Sequence, residues 1–117
     1  MAVLSTATSS GRNFCSCALT ATNLTLYTAP AQNSNVTAPS ATAYIKEIII
    51  TNSTSTPCTV TLIVMGAGMI ASNLTINSND TKILSGLNTC MSAGSSIIGY
   101  ASATNSINVI ISGCEIQ

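Results

Sequence analysis

Only three side chains of this 117-residue chain are carboxylates that could do acid–base chemistry: Glu47, Asp80 and Glu115. The chain has no histidine, so the usual general base near neutral pH is missing, and a cysteine nucleophile would lack its histidine partner. Glu47 follows Lys46 in a predicted strand, so these two side chains should point to opposite faces. Asp80 lies in a turn-like stretch, where an acidic side chain commonly bonds nearby backbone N–H groups. The sequence predicts that the protein is not an enzyme.

The cysteines are the other candidate ligands, and they are odd in number: Cys15, Cys17, Cys58, Cys90 and Cys114. Cys15 and Cys17 form a C-x-C pair, which can hold a metal ion. Zinc sites, however, usually combine two such pairs, or one pair with histidines. We therefore expect partly buried, reduced thiols that act as small apolar side chains, with no metal and no cofactor. A disulfide between subunits is left open as an alternative.

A glycine motif over residues 66–71, GAGMIA, matches the letters of the dinucleotide-binding fingerprint. That motif works only where a helix begins behind the glycines and an acidic residue follows about 20 positions later. Here the next residues, 72–77, are typical of a strand and a turn, and Asp80 is too close. The motif is interpreted as a glycine-bearing loop between strands.

Charge is scarce: three basic and three acidic side chains, 5% of the chain, give a formal net charge of zero. Binding to nucleic acid or to an anionic membrane surface needs several clustered basic groups, so neither partner is expected. The longest apolar run, residues 60–71, is interrupted and shorter than a membrane span. The first 14 residues lack the basic and apolar regions of a signal peptide, so synthesis in the cytoplasm is expected.

The pattern along the chain predicts a short N-terminal arm and then one domain of strands. Residues 1–17 are rich in small polar residues and are assigned to the arm, and residues 18–117 to the domain. Runs of β-branched and alternating apolar residues predict strands over 18–28, 44–52, 58–65, 73–77, 81–84, 95–101 and 107–116. Seven or eight short strands separated by turn residues indicate an all-β, antiparallel β-sandwich or jelly-roll-like domain.

The outward positions of these strands are rich in Thr, Ser and Asn, and two interpretations stay open. One is a solvated sheet face on which β-branched threonines suit the pleat. The other is a contact face, which offers many hydrogen bonds and few charges to desolvate, suited to a symmetric lattice or to a glycan.

The order of several segments resembles a family of known proteins. These segments are LYTAPA at 26–31, AYIKEI at 43–48, TVTL at 59–62, NDT at 79–81, LN at 87–88, MSAGSSI at 91–97, ASA at 101–103 and VIISGCE at 109–115. Together they resemble small β-sandwich virion proteins of tailed bacteriophages, found as capsid decoration (cement) proteins or as head and tail accessories. The likeness spans residues 18–116. The C-x-C of the arm is not a feature of that group.

The resemblance implies a non-enzymatic virion protein, made in the host cytoplasm, that binds and stabilises the capsid lattice. Its partners would be the major capsid protein or another virion protein, and copies of itself, with a trimer favoured. The arm would then contact a neighbour through Val3, Leu4, Arg12 and Phe14. The alternatives are a tail or head-fibre accessory that binds a receptor or glycan, and a subunit of a filament or tube. The absence of Trp argues against a glycan site.

Overall fold

A computed structural model describes residues 9–32 and 41–116. These residues form nine strands and no helix. The strands are β1 (Ser9–Ala18), β2 (Leu24–Thr28), β3 (Ala41–Asn52), β4 (Cys58–Val64), β5 (Gly68–Ile76), β6 (Asp80–Leu84), β7 (Thr89–Ser92), β8 (Ser96–Ala101) and β9 (Ile107–Ile116). In this part of the chain there is accordingly no helix long and apolar enough to cross a membrane.

The strands form two antiparallel sheets that pack face to face. Sheet A has the order β1-β9-β3-β6, and the short strand β7 pairs with β3 next to β6. Sheet B has the order β2-β8-β4-β5. The predicted all-β sandwich is confirmed. Strands β1 and β7 were not predicted, because one lies in a polar segment and the other has only four residues.

The core lies between the sheets and is filled mainly by aliphatic side chains. In β4 the inward residues Cys58, Val60, Leu62 and Val64 alternate with outward ones, as the sequence pattern predicted. Ile107, Val109 and Ile111 of β9 do the same from sheet A, and all three are fully buried. Burying a side chain of this size contributes about 1.5–3 kcal/mol each, so these two strands account for much of the core's stability.

Asn52, at the end of β3, is a polar residue that the core accommodates fully buried. Its amide Nδ2 donates to the carbonyl oxygens of Thr56 at 2.8 Å and Ile76 at 3.1 Å. Its Oδ1 accepts from the backbone N–H of Thr54 at 3.0 Å and from the hydroxyl of the same residue at 2.6 Å. Because donors and acceptor are all paired, this side chain ties the turn after β3 to the end of β5.

Residues 9–17 of the segment assigned to the arm belong to the domain's own sheet. Strand β1 pairs with β9 from Ser9 opposite Ile116 to Ala18 opposite Asn108, with an irregularity between Asn13 and Cys15. The sheet therefore begins nine residues before the predicted domain boundary at residue 18. Residues 1–8 lie outside the described residues.

Candidate interaction surface

The few charged side chains of the protein are confined to one of its two sheets. All six lie on strands of sheet A, on β1, β3, β6 and β9: Arg12, Lys46, Glu47, Asp80, Lys82 and Glu115. The four strands of sheet B contain none. A surface without charge loses little hydration free energy when another protein covers it, since ions are the costliest groups to take out of water. Sheet B is therefore the better candidate for a contact face.

The outer surface of sheet B is called the B face below. Its outward side chains come from all four strands and from Met65, the residue after β4. They include Thr25, Thr28, Thr59, Ile63, Met65, Met69, Thr75, Ser96, Ile98 and Tyr100. They are positioned by the alternation of the strands, since residues next to buried ones point outward. Thr59 of β4 is thus part of this face, whereas Thr61 of the same strand is buried and its hydroxyl accepts a hydrogen bond from the Asn73 N–H at 3.1 Å.

An apolar row crosses the middle of the B face. Ile63 of β4 is paired with Ile98 on one side and with Met69 on the other, so three apolar side chains lie side by side. Met65 extends the patch at the end of β4. Met65 and Met69 are 51% and 60% exposed, which is unusual for side chains of this size. A continuous exposed apolar patch commonly marks a protein–protein contact.

Hydroxyl groups border this apolar row. The Thr28 and Ser96 hydroxyls are hydrogen-bonded to each other at 3.0 Å. The Ser95 hydroxyl donates to the carbonyl oxygen of Met65 at 2.6 Å, which holds the chain in place where it leaves β4. An apolar centre with a polar, uncharged rim is the ordinary composition of a protein interface.

An open apolar cleft of about 280 Å³ adjoins the B face at Met69. The β4–β5 turn forms one wall, with Ala67 and Gly68, and Leu87 forms the opposite wall. Leu87 is held there because its N–H donates to the carbonyl oxygen of Lys46 at 3.1 Å. The lining contains no ionisable side chain, and Thr89 is its one polar side chain, so the cleft offers shape and mainly apolar contact.

The outer surface of sheet A, called the A face, also has an apolar row, but charges accompany it. Ile49 of β3 is paired with Ile83 and with Ile110, which are 58% and 41% exposed. Lys46 and Glu47 precede Ile49 in the same strand. Because the pairing of β3 with β9 is irregular between Ile45 and Glu47, neither side chain is buried on the core side, contrary to the expectation that they point to opposite faces. Lys46 donates to Asn88 Oδ1 at 2.5 Å. Covering the A face would require taking these charges from water as well.

Of the four residues assigned to partner contact, the structure describes Arg12 and Phe14. Phe14 is 8% exposed and stacks on Tyr27, with ring centroids 4.0 Å apart and an angle of 5° between the rings. It turns inward because the β1 register shifts at this residue. Phe14 therefore packs between the chain's own two sheets, a different position from the expected contact with a neighbour. Val3 and Leu4 lie outside the described residues.

Arg12 is ion-paired within its own chain. Its Nη1 lies 2.7 Å from Glu115 Oε1, and the Tyr27 hydroxyl donates to the other oxygen of the same carboxylate. The hydrogen bond from Tyr27 and the contacts with Arg12 lower the pKa of Glu115, while burial and the bond to Glu115 raise the pKa of Tyr27. The Arg12 side chain is still 58% exposed. This cluster joins β1, β2 and β9, and it is structural in character.

The three carboxylates do not form a site. Asp80 is opposite Asn52, and Glu115 is opposite Ala43, so they lie nine residues apart along β3, which is about 30 Å. Glu47 is opposite Ser112, between these two ends. Within 9–32 and 41–116, no three His, Cys, Asp or Glu side chains come close enough to hold a metal ion.

Gly66 and Ala67 of the glycine motif lie in the hairpin turn between β4 and β5, whereas residues 68–71, which the sequence assigned to the same loop, belong to β5. The Ala67 N–H donates to the Val64 carbonyl at 3.0 Å, and Gly66 and Gly68 have positive φ angles of 84° and 133°. Strand β5 begins at Gly68, where a dinucleotide-binding protein would begin a helix.

The segregation of charge was missed by sequence reasoning, although a signal for it was present. Four predicted strands, over 18–28, 58–65, 73–77 and 95–101, contain no charged residue. What the sequence did not reveal is that these four are neighbours in one sheet, because pairing across a sandwich joins distant segments.

Comparisons with known proteins do not assign this chain to a family. No protein-family model matches the sequence, and no curated protein matches it.

Proposed function

We propose that this protein is a non-enzymatic structural protein of a virion, which binds a capsid lattice through the B face and stabilises it. The observation that carries the proposal is the absence of charge from all four strands of sheet B, together with the outward apolar row formed by the half-buried Ile63 and Ile98 and the exposed Met69. The virion context comes from the resemblance of residues 18–116 to decoration proteins of tailed bacteriophages.

The energetics favour docking of this face over solvation. Met65 and Met69 each leave about half of their surface in water, so covering each side chain contributes about 1 kcal/mol. The border of Thr28, Ser96 and Tyr100 supplies hydroxyl donors and acceptors without the cost of desolvating ions. A patch of about 800 Å² per partner suffices for stable association, and a four-stranded sheet offers a face of that order.

A near-zero net charge suits a protein that works in a packed layer. Such a chain has little electrostatic repulsion between copies, which favours close packing of equal subunits around a symmetry axis. We propose a symmetric homo-oligomer, with a trimer favoured, in which the A face with its charged groups is turned toward solvent or toward neighbouring copies.

The test is site-specific photo-crosslinking on virus particles that contain the chain. A photo-reactive residue replaces Met69 on the B face, and in a matched variant it replaces Lys82, which is exposed on the edge strand β6 of sheet A. We expect the probe at 69 to crosslink to the major capsid protein, and the probe at 82 to give little of that product.

Three outcomes would contradict the proposal. The first is a chain that is absent from purified particles. The second is equal crosslinking to the capsid protein from positions 69 and 82. The third is crosslinking from 69 only to a tail or fibre protein, which would support the accessory function. Filaments of the purified protein in negative-stain micrographs would support a tube or fibre subunit.

A further inference from the structure

Two cysteine thiols of β1 touch each other, and the proposed docking function makes no use of them. Cys15 and Cys17 are separated by one residue, so their side chains lie on the same face of the strand. Their Sγ atoms are 2.9 Å apart. Cys15 is opposite Ile111 and Cys17 is opposite Val109, so both point toward the core side of sheet A. Cys15 is buried, and Cys17 is partly exposed.

We propose that Cys15 and Cys17 are a redox-active pair, which a small-molecule disulfide such as oxidised glutathione converts reversibly into an intrastrand disulfide. Residues i and i+2 of a strand have Cα atoms about 6.6 Å apart, which lies at the upper end of the range that a disulfide spans. The bond can therefore form, and it is stretched enough for thiols to reduce it again. Strand β1 is an edge strand of sheet A, so its backbone can shift without displacing a strand on its other side.

The different solvent exposures of Cys17 and Cys15 indicate which thiol reacts first in the two thiol–disulfide exchange steps. The Cys17 thiol loses its proton to solvent and its thiolate attacks the small disulfide, so that a mixed disulfide forms and one small thiol leaves. Cys15 Sγ, losing its proton in turn, then attacks Cys17 Sγ, and the second small thiol leaves. Two protein thiols are oxidised, and one small disulfide is reduced to two thiols. Burial raises the pKa of Cys15 to about 12, which agrees with its role as the second, slower attacking group.

The other cysteines provide a control inside the same protein. Cys90 and Cys114 are both paired with Tyr44, one on each side of β3. They are thus two strand spacings apart, about 10 Å, which is beyond the reach of a disulfide. Cys58 is buried, and its Sγ contacts the Ser102 hydroxyl at 3.0 Å. Only the pair in β1 combines contact with access from solvent.

Trypsin separates these cysteines, which makes the experiment direct. Cleavage after Arg12, Lys46 and Lys82 gives one peptide, 13–46, that contains Cys15 and Cys17, and another, 83–117, that contains Cys90 and Cys114. The folded full-length protein is equilibrated with reduced and oxidised glutathione at several ratios. The exchange is stopped with acid and the free thiols are alkylated. After digestion, the masses of the peptides are measured by mass spectrometry.

We expect peptide 13–46 to lose two hydrogen atoms and both alkylation sites at a glutathione ratio at which 83–117 keeps two alkylated thiols. Excess reductant should restore both sites on 13–46. Cys17→Ser should abolish the loss, and its circular dichroism spectrum should show that it folds, because Cys17 is not fully buried. Two free thiols in 13–46 at every ratio, or a stable glutathione adduct on Cys17 without ring closure, would overturn the proposal.

Discussion

A methyl group added at Gly113 tests the register of sheet A at its most crowded point. Gly113 of β9 lies between Arg12 of β1 and Ile45 of β3. A Cβ atom at this position would lie 2.0 Å from the backbone oxygen of Tyr44 and 2.9 Å from the Phe14 ring. A backbone oxygen cannot rotate away as a side chain can, so β9 and β3 would have to separate locally.

Two other glycines complete a graded series. A Cβ at Gly99 would lie 2.8 Å from Leu62 Cδ2, the flexible end of a side chain. At Gly11 the nearest atom is 4.0 Å away, which is ordinary contact. We expect Gly11→Ala to be neutral or to stabilise the protein by up to about 1 kcal/mol, because alanine restricts the unfolded chain. Gly99→Ala should cost about 1–3 kcal/mol, and Gly113→Ala should exceed the upper end of that range.

Urea unfolding followed by circular dichroism measures the series. A domain of this size has a total stability of roughly 5–15 kcal/mol, so Gly113→Ala should lower the urea midpoint steeply or leave the protein unfolded. In a thermal scan, each kcal/mol lost from the free energy of unfolding lowers Tm by about 4 °C. A Gly113→Ala protein as stable as Gly11→Ala would refute the reasoning, because it would show that β9 and β3 do not pair in this register.

Three further substitutions probe single contacts. Asn52→Leu leaves the carbonyl of Ile76 unpaired in the core and should cost about 2–3 kcal/mol in urea unfolding, whereas an unchanged midpoint would exclude the buried network. The pKa of Glu115 is lowered in the folded protein, so the ionised carboxylate stabilises the fold fully above its ordinary pKa of 4.5, and this stabilisation is lost as the pH falls below 4.5. Glu115→Gln should therefore make the urea midpoint depend less on pH in the acid range. Phe14→Ala should lower the free energy of unfolding by about 3–5 kcal/mol, because the ring packs in the core of its own chain. A urea midpoint equal to that of the unmodified protein would instead support the expected contact of Phe14 with a neighbouring subunit.

The fold class was predictable because the strand signal is strong in this chain. Alternation in residues 58–65 and the β-branched run at 44–52 each define a strand without knowledge of the rest of the protein. Strand β9 was predicted with both of its ends, because turn residues precede Ile107. Strand β1 was assigned to an arm, because its polar residues face solvent along an edge and give no apolar period.

The candidate interaction surface was only partly predictable from the sequence. The sequence showed that charge is scarce and that outward strand positions are rich in Thr, Ser and Asn, and it left a solvated face and a contact face as equal interpretations. The apolar row could not be predicted, because Ile63, Met69 and Ile98 come from three strands and meet only through sheet pairing. The position of Phe14 was hidden for a related reason, since an irregularity in β1 turns its side chain inward.

A charge placed at the centre of each sheet tests the docking account most directly. Ile63→Lys puts it in the apolar row of the B face, and Ile49→Lys puts it at the matching place on the A face. Each purified variant is added to particles that lack the protein, and the bound fraction is measured by sedimentation. An unpaired charge buried in an interface costs about 3–5 kcal/mol, so Ile63→Lys should weaken binding by about 100-fold or more. Ile49→Lys should bind like the unmodified protein, and the reverse order, or equal loss from both variants, would contradict docking through sheet B.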